Sequence, residues 1–94
     1  MDKFKVKKVE NCFKDNQTYE YKLNLEINEK FLKKLQNLGE VEIKNFRRPI
    51  FMIYCENGNK IKGVINSKII RVSFPDDKWQ YNKEKFEIFL YGIL

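Results

Sequence analysis

The side chains that could do chemistry in this sequence are its arginines and a set of alternating lysines. Arg47 and Arg48 stand side by side before Pro49, between Phe46 and Phe51. Guanidinium forks bind phosphate or carboxylate through paired N–H donors, and flanking rings offer stacking faces. On an extended strand, successive side chains point to opposite sides. Both arginines can therefore meet one ligand only if the corner is a loop. The competing assignment is a charged corner paired with Glu40 or Glu42. A second cluster comprises Lys60, Lys62, Lys68 and Arg71. Lys60 and Lys62 share a strand face, and a turn at Asn66-Ser67 brings Lys68 or Arg71 back toward them. Such a surface can follow a nucleic-acid backbone, although the same spacing also serves an ordinary solvent face. Arg47, Arg48, Lys60, Lys62 and Arg71 are the candidate anion-binding residues.

Other chemistry is thinly provided. There is no histidine, which excludes Ser-His-Asp and Cys-His catalysis, histidine zinc sites and histidine pH switches. Cys12 and Cys55 form no Cys-x-x-Cys motif and no disulfide framework. Cys55 falls in an apolar strand and reads as an inert thiol. Cys12 lies nearer a loop and has only Lys8 or Lys14 to activate it. Asp76-Asp77 suits a turn or cap better than a cation site, which needs further oxygen ligands. Gly58 and Gly63 are followed by strand rather than helix, so they make no phosphate loop. The sequence assigns no catalytic residue, no metal ligand and no cofactor.

The elements that must position the cations follow from periodicity. Phe4 and Val6 alternate with Lys3, Lys5 and Lys7, as in a half-buried strand, with a bulge expected where the alternation slips at Lys8-Val9. That lysine face either contacts anions or keeps an edge strand soluble, and edge protection is the favoured reading. A turn is expected at 14–17, then a strand over Tyr19–Ile27. Tyr19, Tyr21, Leu23, Leu25 and Ile27 share its apolar side, and the two strands form a hairpin. Asn28 is placed to cap a helix carrying Phe31, Leu32, Leu35 and Leu38, and Gly39 stands where a left-handed residue ends it.

Val41 and Ile43 begin a four-strand meander. The nearly unbroken apolar run from Ile50 to Cys55 reads as central or covered on both faces. Asn57-Gly58 suits a type I′ turn. Strands follow at Lys60–Ile65 and Lys68–Phe74. Asn82 is placed to cap a last helix bearing Phe86, Phe89, Leu90 and Ile93, with Trp79 and Tyr81 before it. The expected fold is one α+β domain over residues 1–94, in the order β-β-α-β-β-β-β-α. Its architecture is a two-layer sandwich with a mainly antiparallel sheet and both amphipathic helices on one face.

Composition sets the functional expectation. The net charge is +6 and the sequence pI about 9.3, which favours an anionic partner or serves solubility alone. No apolar run approaches membrane-spanning length, and no signal segment is evident, so a reducing cytoplasmic setting is expected. The expected function is a non-catalytic binding or accessory module for nucleic acid or an acidic protein, acting through a basic sheet edge. Two other readings stand beside it. One is a histidine-free RNA-cleaving enzyme in which Lys and Arg stabilise the phosphate and Tyr81 or a carboxylate moves protons. The other is a self-associating structural or regulatory domain, a homo-oligomer joined through its aromatic C-terminal segment.

Overall fold

Alternation of apolar and polar residues builds a six-stranded sheet in the computed structural model, which describes residues 3–9, 16–45, 47–75 and 77–94. The strands are β1 (Phe4–Val9), β2 (Asn16–Leu23), β3 (Gly39–Asn45), β4 (Pro49–Cys55), β5 (Lys60–Val64) and β6 (Ile69–Pro75). The helices are α1 (Glu29–Leu35), extended by a 3-10 turn at Gln36–Leu38, and α2 (Trp79–Ile93). The order across the sheet is β1-β2-β6-β5-β4-β3, and every neighbouring pair is antiparallel. The β1–β2 hairpin thus docks on the last strand of the β3–β6 meander, and the fold is α+β.

Register decides which side chains share a face. Tyr21 stands opposite Val6 and Ile70, Val72 opposite Tyr19 and Ile61, and Ile53 opposite Ile61 and Val41. Tyr21, Phe51, Ile53, Ile61, Ile70, Val72 and Phe74 are buried in one cluster with Phe31, Leu32 and Leu35 of α1 and Phe86 and Leu90 of α2. Burial of this apolar surface drives the fold. The alternate positions include Lys5, Lys7, Lys22, Arg71, Lys60, Lys62, Tyr54, Glu40, Glu42 and Lys44, all exposed.

Several local expectations are corrected. The register runs through Lys8↔Tyr19 and Val9↔Thr18 without a bulge. Lys8 therefore shares the side of Phe4 and Val6, while Lys5 and Lys7 point to the other. Asn16 and Gln17 belong to β2, not to a turn, and β2 ends at Leu23. Ile27 is nevertheless buried, because its N–H donates to the Ser67 carbonyl at 2.8 Å and its own carbonyl accepts from Asn66 N–H at 2.7 Å. Those bonds tie the chain to the β5–β6 turn and leave it no strand partner.

The β4 strand is an inner strand, but only Phe51 and Ile53 are fully buried and Tyr54 is exposed, so one face is covered rather than two. The loop joining β4 to β5 is not a type I′ turn. Cys55 C=O accepts Gly58 N–H at 3.0 Å, Cys55 N–H donates to Asn59 C=O at 2.9 Å, and of Asn57 and Gly58 only Gly58 has positive φ, at 93°. This is a three-residue loop with glycine at the left-handed position.

Asn28 caps α1 as expected, its Oδ1 accepting from Phe31 N–H at 2.9 Å. Gly39 is extended, φ 169°, rather than left-handed. Its lack of a side chain matters for another reason: a Cβ there would collide with the Tyr54 carbonyl oxygen. The α2 helix begins at Trp79 behind left-handed Lys78, so Asn82 lies in its first turn and is not the cap. Trp79 stacks on Tyr19 at 5.9 Å, which holds that start against the sheet. Cys12, Lys14-Asp15, Phe46 and Asp76 lie outside the described residues. Among the described residues, no helix is long and apolar enough to cross a membrane.

Candidate functional site

The cations are assembled by the pairing of inner strands. Arg71 of β6 stands directly between Glu20 of β2 and Lys62 of β5, and the same row continues to Met52 and Glu42. Lys7 lies opposite Glu20 on the far side. The next row runs Val9, Thr18, Ser73, Lys60, Tyr54 and Glu40. On the other side, Lys5 faces Lys22, which faces Ile69. Strands lie about 4.8 Å apart and same-face residues of one strand about 7 Å apart. Lys22, Lys60, Lys62 and Arg71 therefore cover a continuous area, with Tyr54 at its margin.

Arg71 is the best-fixed of these cations. Its Nε–H donates to Glu20 Oε1 at 3.3 Å, with the guanidinium side chain still 58% exposed. The ion pair orients the fork across the face and leaves its terminal N–H groups available. A depression of about 330 Å³ opens beside it, lined by Glu20, Lys62, Gly63, Val64, Ser67, Ile69 and Arg71. Thr18 and Ser73 hydroxyls meet across β2 and β6 at 3.1 Å, in the row on the other side of Arg71 from that depression.

The five candidate residues are not all brought together. Lys62 and Arg71 are direct cross-strand partners, and Lys60 lies one row away. Lys68 sits in the β5–β6 turn, where its carbonyl accepts from Leu23 N–H at 2.7 Å. Arg47 and Arg48 are exposed in the bend between β3 and β4, and among the described residues neither forms an ion pair with Glu40 or Glu42. Arg48 stands four positions before Met52, about 13 Å of extended chain from the Lys62 row. The cationic surface is also no edge: β5 and β6 are inner strands. The basic edge is β1.

Sequence reasoning missed two further features. A groove of about 600 Å³ runs between β1 and α2, lined by Phe4, Trp79, Lys83, Glu87, Ile88 and Tyr91 among others. Beneath it Tyr21 O–H donates to Glu87 Oε2 at 3.2 Å, Lys83 Nζ reaches the same oxygen at 2.6 Å, and Lys83 lies 4.9 Å from the Tyr19 ring centre. Burial, reinforced by the Glu87 carboxylate, pushes the Tyr21 phenol far above its ordinary range. The i, i+4 spacing of Lys83 and Glu87 was visible, but the tyrosine beneath them was not. The second feature is Asn59, buried beside Cys55, its Oδ1 without a hydrogen-bond partner among the described residues. Burial also raises the Cys55 thiol above its usual range, which disfavours the nucleophilic thiolate. No protein-family model, curated protein or solved structure matches this chain.

Proposed function

We propose that this chain is a two-layer α+β module, its helices on one side of the sheet, that binds a nucleic-acid strand across the other side without transforming it. One observation carries the reading: Lys22, Lys60, Lys62 and Arg71 share the exposed sheet face, with Lys5 and Lys7 beside them. Glu20 is the single carboxylate on the β1, β2, β5 and β6 part of that face and is already engaged by Arg71. A flat cationic area of this kind follows a phosphate backbone by charge and carries no base code, so recognition is sequence-independent. Tyr54, 40% exposed at the margin, offers one stacking ring. A reducing cytoplasm is the setting that suits a free thiol at Cys55.

The test is anisotropy titration of a labelled single-stranded oligonucleotide over a salt series, with RNA integrity followed in the same samples. Binding should weaken steeply with salt and leave the RNA intact. Lys60→Ala/Lys62→Ala/Arg71→Ala should flatten the log–log salt slope by about 2 units, while Arg47→Ala/Arg48→Ala changes it less. Absence of binding at low salt overturns the reading, and cleavage that survives the triple substitution moves the activity elsewhere.

A further inference from the structure

The two edges of the sheet fit each other. With six strands and antiparallel neighbours throughout, β1 and β3 run in opposite directions at opposite edges. A second copy set beside the first, β1 against β3, therefore pairs antiparallel and continues the sheet. Backbone polarity allows it. Asn24 N–H donates to Lys3 C=O at 3.1 Å, so by alternation Lys3, Lys5 and Lys7 direct their backbone groups at β2, while Phe4, Val6 and Lys8 turn theirs outward. Cys55 N–H bonds Asn59 C=O at 2.9 Å and Ile65 N–H bonds Pro49 C=O at 3.0 Å. Residues 49, 51, 53 and 55 thus serve β5, residues 50, 52 and 54 serve β3, and Val41 and Ile43 are left with outward-facing N–H and C=O.

One register satisfies every requirement at once. Phe4 opposite Ile43 and Val6 opposite Val41 are both outward-bonding pairs, and both lie on the apolar side of the sheet. The residues between them then place Lys5 against Glu42 and Lys7 against Glu40 on the opposite side. These are the closely spaced, non-hydrogen-bonded positions, where side chains interact most. Shifting by two residues one way sets Lys5 against Lys44. Shifting the other way carries Lys7 and Ile43 past the end of the partner strand. The seam would also cover apolar surface that the single chain leaves open, since Val6 is 39% and Ile43 48% exposed.

We propose that copies of this chain associate head to tail, the basic β1 edge of one pairing with the acidic β3 edge of the next. The interface is heterologous, so it builds chains or rings larger than a dimer. It is independent of nucleic-acid binding and is tested without any nucleic acid.

Sedimentation velocity of the purified chain, from dilute to concentrated solution at low and high salt, should show mass growing with concentration beyond two copies and falling with salt. Lys5→Glu/Lys7→Glu and Glu40→Lys/Glu42→Lys should each weaken association about tenfold or more, since two attractive cross-strand pairs become repulsive. The fourfold variant, which exchanges the charges of both edges, should associate again, and so should an equimolar mixture of the two double variants. Circular dichroism confirms that each variant is folded. A wild type that stays monomeric at every concentration overturns the proposal. So does association indifferent to both charge reversals, or a folded fourfold variant and a mixture that both remain monomeric.

Discussion

Tyr21 shows how one buried polar atom can set a pH limit on the fold. Its ring lies among Phe4, Phe86 and neighbouring core residues, while its hydroxyl donates to Glu87. Burial first, and the Glu87 carboxylate next, raise its pKa well above the ordinary tyrosine value of about 10. The folded chain therefore keeps a proton that the unfolded chain releases. That contribution to stability is complete below about pH 10 and is lost as the pH climbs beyond it. The Cys55 thiol, also raised by burial, acts in the same direction. Urea midpoints measured through this range should fall more steeply for the wild type than for Tyr21→Phe. At neutral pH the substitution should cost about 1 kcal/mol, the net value of one hydrogen bond, because Glu87 retains Lys83 as a partner. Equal alkaline slopes for the two proteins would show that the Tyr21 hydroxyl does not govern the loss.

Elements were legible where a single chemical rule acts locally. Asn28 read as a cap and is one, because a short polar side chain next to Phe31 N–H has few competing partners. Its substitution by Ala should cost about 1 kcal/mol, read as a lowered urea midpoint, and Asn28→Ser or Asn28→Asp should recover most of it. The strand that starts with Val41 and Ile43 is equally clear from alternation, and the one expected over Lys68–Phe74 is found at Ile69–Pro75. The missed features depend on partners distant in sequence. Nothing in the stretch Tyr19–Ile27 shows that pairing must stop at Leu23; the cause is the β5–β6 turn, whose backbone takes the bonds of Ile27. The start of α2 was displaced from Asn82 to Trp79 because Tyr19, sixty residues away in the chain, stacks on the indole. Gly39 read as a helix stop but is needed for the close approach of Tyr54. At the candidate site the same division holds. The turn at Asn66-Ser67 brings Lys68 or Arg71 toward Lys60 and Lys62, and the register selects Arg71 opposite Lys62, whereas the place of Glu20 beside them requires the docking of the β1–β2 hairpin on β6.

Across the whole molecule, charge falls from a basic β1 edge to an acidic β3 edge, with β2 balanced and β6 and β5 basic between them. That gradient places function and stability in opposition. Lys62 stands directly opposite Arg71, and Lys5 opposite Lys22, arrangements of like charge that cost stability in the free chain. A solvent face with no further role is better served by alternating signs. Lys62→Glu supplies the missing sign, setting a carboxylate beside a guanidinium that Glu20 already orients. At low salt the free variant should be more stable than the wild type by about 0.2–1 kcal/mol, and the difference should shrink as salt screens the pair. Oligonucleotide affinity should move the other way, weakening most at low salt. Thermal unfolding and anisotropy measured on the same preparations separate these effects. Higher stability with weaker binding identifies the like-charge face as one kept for an anionic partner. Higher stability with unchanged binding would assign the lysine to solubility and turn attention to the edges of the sheet.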